Sequence, residues 1–395
     1  MLKEILDQEK RHFIQIYNRI PLDISHGQGV HLFDKDGKKY LDMFSGLGVN
    51  ALGYSHPRII EAVTKQINRF AHLSNNYITD IQIEFSEKLL HYSGKSKIFL
   101  TNSGTEAVEA AVKLIRMKYG ADKNIYSLTN SFHGRTYAAM TLTGKDKYKK
   151  GFEPLVQNIF QIDFNNILDL ERKINGNTAA VFLEFIQGEG GINEVSHEFV
   201  YELKKLHEKY DFIIVSDGIQ CGTGRTGKAY SHSYYDIDPD IIVTAKAIGG
   251  GLPLGAIMVS EELSDIIPLG KHGTTFGGNP ISCAAGKVVL EEVYENGLMN
   301  YVAEIGDYFK NELLVLKSKY SDLIKDVRGK GLMLGIEMSF TCSNLVKDLF
   351  NKSILSNCTN ENAIRLLPPL IISKSDLDFF LYNFEELLKT GNYGT

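Results

Sequence analysis

The feature that most constrains the fold is an alternation, through the middle of the chain, of short β-rich runs with amphipathic helical stretches. The stretches 106–119 and 198–210 are examples of the helical pattern. Buried runs alternating with helices predict βαβ units and a mostly parallel sheet. The β-rich runs lie at residues 98–101, 125–128, 181–185, 212–216, 241–244 and 256–259.

The pattern changes near residue 286, where long helices are indicated at 286–295 and 301–320, followed by 326–337 and a strand-like run at 363–367. We therefore predict an α/β fold with a large domain at 56–285, whose mostly parallel mixed sheet lies between helices. A smaller α+β domain is predicted at 286–395. An N-terminal segment, 1–55, contains a hairpin-like piece that turns at Asp36-Gly37, and we expect it to pack with the small domain.

Composition and charge argue against several classes of protein. The net charge of -5 disfavours nucleic-acid binding, which usually requires a basic face. No apolar run approaches the roughly 18 residues that a membrane span requires, and the charged N-terminus is not a secretory signal. The four cysteines form no CxxC pair, and a chain of 395 residues does not need disulfides. We expect a cytoplasmic protein without disulfides.

A possible anion site follows the first strand of the predicted sheet, where open α/β sheets bind ligands. Residues 102–106 open a helix, and Ser103 and Glu106 have the spacing of a capping box. Gly104 and the free amides of such a first turn suit a phosphate, although an ordinary capped helix has the same pattern.

A carboxylate and an amine follow two further strands. Asp217 comes directly after 212–216, and Lys246 follows 241–244, with apolar neighbours and three glycines at 249–251. Burial at such a place depresses the pKa of a lysine and makes it a nucleophile. A structural ion pair between Asp217 and Lys246 explains the same residues, so both interpretations stay open at this point.

Other glycine-rich or histidine-containing segments carry weaker signals. Residues 222–228 nearly match a P-loop, but Ala229 stands where a hydroxyl should bind Mg²⁺. The histidines have no metal-ligand spacing, and no metal is expected. The basic run 145–150 is interpreted as solvated surface.

Motifs follow one another along nearly the whole chain: ALGYSHP at 51–57, NSGTEA at 102–107, FHGRT at 132–136, EFIQGEGG at 184–191, TAKAIGGG at 244–251, TTFGGNP at 274–280 and RLLPP at 365–369. In this order and spacing they resemble the class III (ω-amino acid) aminotransferases of pyridoxal phosphate (PLP) fold type I. The resemblance implies that fold, PLP as cofactor and amino-group transfer.

The resemblance also implies roles for individual residues. Lys246 would bind PLP as a Schiff base and then shuttle a proton, while Asp217 would pair with the pyridinium nitrogen and make the ring an electron sink. Thr275 would reach the phosphate of a neighbouring subunit, which implies a homodimer with shared sites. The complete set of expected cofactor contacts is Ser103, Gly104, Thr105, Phe132, His133, Asp217, Ile219, Gln220, Lys246 and Thr275.

For the substrate, Arg135 is the expected carboxylate clamp and Arg365 a second one, because a planar guanidinium binds a carboxylate through two hydrogen bonds. Glu189 resembles the family's switch glutamate, which pairs with the second arginine. Thr274 and, more weakly, Tyr17 complete the expected substrate contacts; Tyr17 is equally well explained as a packed tyrosine.

The implied reaction transfers the distal amine of N-acetylornithine to 2-oxoglutarate, a step of arginine biosynthesis, and gives N-acetylglutamate semialdehyde and glutamate. Ornithine, succinylornithine and 4-aminobutyrate are alternative donors. One departure from the family is Gly218, where a glutamate is usual; the lost charge alters either the cofactor's electronics or only local packing. A PLP-binding protein with impaired transaminase activity is therefore an alternative, and a nucleotide-binding module using 222–228 is a third.

Overall fold

The computed structural model describes residues 2–391 and 393, and a seven-stranded sheet lies at its centre. Gly255–Val259 runs antiparallel to both of its neighbours, and the other adjacent pairs are parallel. The predicted α/β class with a mostly parallel mixed sheet is confirmed. In spatial order the strands are Lys97–Thr101, Gly255–Val259, Ile241–Thr244, Ile213–Asp217, Thr178–Leu183, Asn124–Leu128 and Ile159–Ile162.

The central sheet is covered on both faces, which explains why its strands are apolar throughout. In Ile213–Asp217, Ile213 and Val215 pack with the helix Gly104–Tyr119, whereas Ile214 packs with the helix His197–Tyr210 on the other face. This alternation follows from the two-residue period of a strand. The strand Ile159–Ile162 was not predicted, because exposed Phe160 and half-buried Gln161 interrupt its apolar pattern at the sheet edge.

Twelve α-helices are found in the described part of the chain, and several begin at side-chain caps. Ser103, Ser196 and Ser373 accept hydrogen bonds from backbone amides of the first turns that follow them, as capping residues do. The helices are Leu2–His12, Ser45–Gly48, Pro57–Arg69, Asp80–Ser93, Gly104–Tyr119, Tyr137–Leu142, Ile167–Lys173, His197–Tyr210, Pro280–Leu290, Leu298–Lys319, Ser343–Asn351 and Lys374–Thr390.

The helix expected at 286–295 starts earlier than predicted. Asn279 caps it and Pro280 occupies its first turn, where the missing N–H of proline is harmless. The α-helix ends at Leu290 and continues as the π-helical turn Glu291–Glu295.

Two smaller four-stranded sheets lie outside the central one, and the first of them joins strands from the two ends of the chain. The first contains Ile24–Gln28, His31–Asp34 and Lys39–Asp42, and the late strand Ile354–Leu355 pairs parallel with Lys39–Asp42. The hairpin predicted to turn at Asp36-Gly37 is confirmed, because Leu32 pairs with Tyr40 across it. The second sheet contains Ile324–Lys330, Met333–Met338, Ala363–Leu366 and Asn357–Thr359. A two-stranded ribbon, Ile186–Gln187 with Asn193–Glu194, completes the described strands.

The expectation that the chain contains no disulfide is wrong, because Cys342 and Cys358 are joined by one. Cys342 directly precedes the helix Ser343–Asn351, and Cys358 lies in the strand Asn357–Thr359. Their Cα atoms are 5.8 Å apart, within the range that a disulfide spans. Chain length decides whether a fold needs a disulfide, and tertiary contact decides whether one forms. In the described residues, no helix combines the length and apolar character needed to cross a bilayer.

Candidate active site

A cavity of about 440 Å³ opens beyond the carboxyl ends of the central strands, where α/β sheets place their ligand sites. Glu184, Asp217 and Lys246 reach it from three neighbouring strands, Thr178–Leu183, Ile213–Asp217 and Ile241–Thr244. The cavity is lined by Val49, Asn102, Ser103, Gly104, Thr105, Phe132, His133, Gly134, Arg135, Glu184, Glu189, Asp217, Ile219, Gln220, Ala245, Lys246, Gly251, Leu252, Pro253 and Leu254.

Lys246 occupies an unusual backbone position at this cavity. Its φ is +51°, in the left-handed region that residues other than glycine rarely adopt, and such strain clusters at functional sites. Burial, together with the positive charge of Arg365, lowers the pKa of Lys246 from 10.5 to about 8. Roughly a tenth of such an amine is uncharged and nucleophilic at pH 7, against about one part in 3000 for an ordinary lysine.

Asp217 is buried within a network of charged groups. The Nδ1 of His133 lies 2.7 Å from a carboxylate oxygen of Asp217. Although burial disfavours its charged form, the hydrogen bond and charge of Asp217 and the charge of Glu184 raise the pKa of His133. The other carboxylate oxygen of Asp217 accepts from the amide of Ile219 at 3.1 Å. These contacts fix the orientation of the Asp217 carboxylate.

Glu184 was not among the predicted site residues, although it belongs to the motif at 184–191. Its carboxylate accepts hydrogen bonds from the amides of Phe132 and Gly188, at 2.8 and 2.9 Å. Burial and the nearby charge of Asp217 raise its pKa to about 7, opposed by the charge of His133. The position of Glu184 at a strand end, as for Asp217, is the sequence signal that identifies it.

The helix that begins at Gly104 points its first amides at the cavity, and the first N–H groups of a helix have no partner within it. A Cβ at Gly104 would lie 2.5 Å from the end of the Ile219 side chain, so a larger residue here would displace Ile219 from the cavity wall. Ser103 caps the helix, but the predicted capping box is wrong in one respect. The Glu106 carboxylate accepts from the amide of Asn102, at 2.7 Å, rather than from Ser103.

Three predicted ring contacts line the same cavity. Phe132 and Ile219 belong to different loops that meet there. Gln220 accepts a hydrogen bond through Oε1 from Arg365 Nη1 at 3.2 Å, which leaves its NH₂ group to donate. The hydroxyl of Thr105 accepts from the amides of Arg135 and Thr136, at 3.3 and 3.2 Å, and so fixes the loop that carries Phe132 and His133.

Arg365 and Glu189 form an ion pair beside Lys246. The Nη1 of Arg365 lies 2.6 Å from Oε1 of Glu189, and the guanidinium is almost fully buried at 1% exposure. Burial alone would raise the pKa of Glu189, but the charge and hydrogen bond of Arg365 outweigh it and lower that pKa. The Nε of Arg365 donates to Asn357 at 3.2 Å, which fixes the plane of the guanidinium.

Arg135 is exposed, and it lies over the faces of two aromatic rings. Its Cζ is 4.1 Å from the ring centroid of Tyr148 and 5.4 Å from that of Phe132. Across residues 2–391 and 393, Arg135 forms no ion pair with a carboxylate, so its guanidinium is available to an anionic ligand. Tyr148 was not predicted; it orients Arg135 through a cation–π contact.

The interpretation of 145–150 as solvated surface is wrong for Lys145 and Lys149. Lys149 is buried at 7% exposure, and the Nζ of Lys145 donates to the backbone carbonyl of Glu189 at 2.5 Å. A run of lysines has the same composition whether it lies on the surface or not, so the sequence does not reveal the difference. Lys145 directly precedes the turn Asp146–Tyr148, and this position directs it inward.

Four predicted residues do not line the cavity. One of them is Arg365, which contacts the lining residues Glu189 and Gln220; the others are Thr274, Thr275 and Tyr17. Thr274 accepts from the Asn102 side chain at 3.1 Å and so touches the edge of the site indirectly. Thr275 is exposed and lines a separate opening with Asn75. Tyr17 is 69% exposed, with the guanidinium carbon of Arg19 5.6 Å from its ring.

Gly218 lies against a fully buried ring. A Cβ at this position would approach Tyr230 to 3.1 Å and the carbonyl of Val243 to 3.3 Å, so Tyr230 occupies space next to Asp217 that a larger residue would need. A side chain at this position therefore requires its neighbours to shift by a few tenths of an ångström, a packing effect that is independent of charge.

Gly218→Glu is expected to lower the thermal midpoint of the protein. Overpacking a core costs about 1–3 kcal/mol, and a buried carboxylate without a partner adds to it. Scanning calorimetry of Gly218→Glu, of Tyr230→Ala and of the double variant measures this. Because Tyr230→Ala leaves a cavity that is costly by itself, the expected result is a double-variant loss smaller than the sum of the two single losses. A Gly218→Glu variant with an unchanged midpoint and a large gain in turnover would instead assign the effect to charge.

The chain belongs to the class III aminotransferases. The model of the family described as "Aminotransferase class-III" matches residues 14–388. Enzymes of this family use PLP, and solved structures similar to this chain include one of ornithine aminotransferase from Toxoplasma gondii with partial occupancy of PLP in its active site.

Among named relatives, the chain is similar to acetylornithine aminotransferase of Aquifex aeolicus, at 43% identity over 94% of this chain and 98% of the relative. It is 40% identical to acetylornithine aminotransferase of Methanocaldococcus jannaschii, over 97% of each chain. In structure it is similar to ornithine aminotransferase of Toxoplasma gondii ME49, with a TM-score of 0.94, 26% identity and coverage of 98% and 95%.

The residues of the cavity fit PLP. The cofactor needs an amine for its aldehyde, an anion for its ring nitrogen, a flat slot for its ring and N–H donors for its phosphate. Lys246, Asp217, the loops carrying Phe132 and Ile219, and the helix beginning at Gly104 supply groups of these four kinds around one cavity.

Proposed function

We propose that this aminotransferase transfers the distal amine of N-acetylornithine to 2-oxoglutarate and so forms N-acetylglutamate 5-semialdehyde and glutamate, a step of arginine biosynthesis. The observation that carries the proposal is the ion pair of Arg365 with Glu189 at the cavity that contains Lys246 and Arg135. Arg135 can bind a carboxylate in either substrate, and Arg365 can bind a second carboxylate when Glu189 releases it. This arrangement suits one substrate with a single carboxylate and another with two. The names of the relatives support the same donor.

We assign the chemical roles as follows. PLP supplies an aldehyde that takes up the amine and a ring that accepts electrons. Lys246 moves a proton at the carbon that bears the reacting amine, for which its lowered pKa suits it. Asp217 holds the ring nitrogen, and His133 holds Asp217 through the 2.7 Å contact. The amides of Gly104 and Thr105 would hold the phosphate, Phe132 and Ile219 would lie against the ring, and the NH₂ of Gln220 would donate to the ring hydroxyl.

We also propose that two copies of the chain assemble around shared sites. Thr275 is exposed next to Phe276, which is 57% exposed, and the loop that carries them is hydrogen-bonded to Asn75. Two residues beyond Asn75, Tyr77 is 65% exposed, and the next residue, Ile78, is 86% exposed. Exposed apolar groups of this size mark interaction surfaces. A cytoplasmic location is proposed on the basis of the metabolic reaction, and the Cys342–Cys358 disulfide is the observation that counts against it.

Steady-state turnover with four donors and 2-oxoglutarate tests the proposed substrate. N-acetylornithine should have the highest kcat/KM, at least about 10-fold above ornithine, because the free α-ammonium of ornithine would be repelled by Arg135. Succinylornithine and 4-aminobutyrate complete the panel. A preference for ornithine or 4-aminobutyrate would assign another activity within the family. A coloured, PLP-loaded protein that is inactive with every donor would favour the impaired PLP-binding protein.

A further inference from the structure

The Glu189 carboxylate needs a second partner if it is to leave Arg365. The pair is largely buried, and a charge that leaves a buried pair without a new partner carries an uncompensated desolvation cost. Under the proposed function, the α-carboxylate of glutamate or 2-oxoglutarate replaces Glu189 on Arg365. Any cost of leaving the Glu189 carboxylate without a partner then weakens the binding of dicarboxylates by the same free energy.

Lys145 is positioned to receive that carboxylate. Its Nζ lies 2.5 Å from the backbone carbonyl of Glu189 and 3.5 Å from Oδ1 of Asn360. An ammonium has three N–H donors, so one donor remains. The Nζ of Lys145 already contacts the backbone carbonyl of Glu189, so the carboxylate of Glu189 can reach it by rotation about the side-chain bonds of Glu189 alone.

The backbone of Glu189 does not have to move in this exchange. Besides Lys145, the hydroxyl of Thr359 donates to the same carbonyl at 2.9 Å. Lys145 precedes Glu189 in the chain and Thr359 follows it, and their two hydrogen bonds fix the main chain at Glu189. Only the side chain of Glu189 has to turn between Arg365 and Lys145.

We propose that Lys145 is the second partner of the Glu189 carboxylate, and that it is a positioning residue that sets affinity for dicarboxylate substrates. This inference rests on the proposed function, because only a ligand with a carboxylate at Arg365 displaces Glu189. Lys145 acts through Glu189 and does not itself contact the ligand.

The charges around Lys145 are consistent with this role. Burial and the positive charges of Lys147 and Arg365 lower the pKa of Lys145, while Glu189 and Glu184 oppose them. A carboxylate brought into contact with its Nζ therefore offsets an existing desolvation cost, as in a charge-assisted hydrogen bond.

The test compares two ligands of PLP-loaded enzyme that lack a reacting amine or keto group, glutarate with two carboxylates and pentanoate with one. Their Kd values are measured by calorimetry. Lys145→Met should weaken glutarate about 10- to 100-fold, the scale of one charged hydrogen bond, and should leave pentanoate unchanged. Lys145→Gln should behave like Lys145→Met, whereas Lys145→Arg should retain glutarate affinity. Lys150→Met is the matched control at an exposed lysine of the same run and should bind both ligands normally.

A double-variant cycle distinguishes action through Glu189 from direct contact. In a Glu189→Gln background there is no charge to receive, so Lys145→Met should have no further effect on glutarate. An equal loss in that background, equal losses for both ligands, or no loss in any Lys145 variant would overturn the inference. Wild-type enzyme that binds both ligands equally would contradict the proposed dicarboxylate acceptor and the inference with it. A wild-type preference for glutarate that survives in Lys145→Met and Lys145→Gln contradicts only the inference.

Discussion

Lys246→Met is expected to reduce amino-group transfer by about 10²- to 10⁴-fold or more, the range associated with a single positioned proton-transfer group, while the protein remains folded. Methionine keeps the length and apolar stem of lysine but has no titratable amine. Single-turnover absorbance spectra of wild type and variant, each mixed with PLP and then with glutamate, measure the loss.

Peptide mapping identifies the lysine independently of turnover. Borohydride reduction of the loaded wild type should attach the cofactor permanently to Lys246, and the same treatment of Lys246→Met should attach none. A label on Lys228, or none in the wild type, would contradict the assignment.

The pH dependence of folding separates the chemical role of Lys246 from a structural one. Its pKa is about 8 in the folded state, against 10.5 ordinarily, so between these pH values the unfolded chain binds more protons and stability rises with pH. Burying the charged amine of Lys246 therefore destabilises the folded chain fully below about pH 8, and this destabilisation disappears as the pH rises toward 10.5. Cofactor-free Lys246→Met should therefore resist urea better than wild type at pH 7, with a smaller difference at pH 10. A variant less stable than wild type at pH 7 would indicate that the amine supports the fold.

The parts of the site that were predictable from sequence lie at strand ends. Asp217 and Lys246 follow buried apolar runs, and the parallel arrangement of those runs brings their carboxyl ends to one edge of the sheet. The same argument applies to the helix that begins at Gly104. For these residues, the position at a strand end that the sequence pattern predicts is also the position in the folded chain. The strand pattern and the family resemblance therefore lead to the same cavity.

The unpredicted parts depend on contacts between segments distant in sequence. Glu184 was not predicted, and His133 was predicted as a cofactor contact and not as a partner of Asp217. Glu184 follows one strand and His133 lies in the loop after another, so no spacing within one element reveals their network with Asp217. Lys145 belongs to a basic run whose composition is that of a solvated surface, and only the turn beside it directs its amine to Glu189. The Cys342–Cys358 bridge likewise requires a helix start and a strand to meet.

Arg365→Ala is expected to affect the two half-reactions unequally. Glutamate and 2-oxoglutarate have two carboxylates, and N-acetylornithine has one, far from its reacting amine. We expect Arg135 to bind the distal carboxylate in both halves, because its guanidinium is exposed at the cavity and free of carboxylate partners among residues 2–391 and 393. Arg365, paired with Glu189 at 2.6 Å, is expected to bind only the α-carboxylate of the glutamate pair.

The magnitude follows from the burial of the pair. Truncating one partner of a buried hydrogen-bonded charge pair costs about 2–5 kcal/mol, which corresponds to roughly 30- to 4000-fold in kcat/KM. Arg365→Ala should therefore slow the 2-oxoglutarate half-reaction by a factor in this range and largely spare the N-acetylornithine half. Arg135→Ala is the matched comparison at an arginine that itself lines the cavity, and it should impair both halves.

Glu189→Ala provides the opposite change in specificity. With its carboxylate removed, Arg365 stays charged and unpaired, which is costly in a largely buried site until an α-carboxylate binds. The variant should therefore shift preference toward α-amino donors such as glutamate and away from N-acetylornithine. Stopped-flow spectra of each half-reaction, recorded separately, measure all three variants on one scale. If Arg365→Ala slows both halves by the same factor, Arg365 supports the fold of the site and does not select between the substrates.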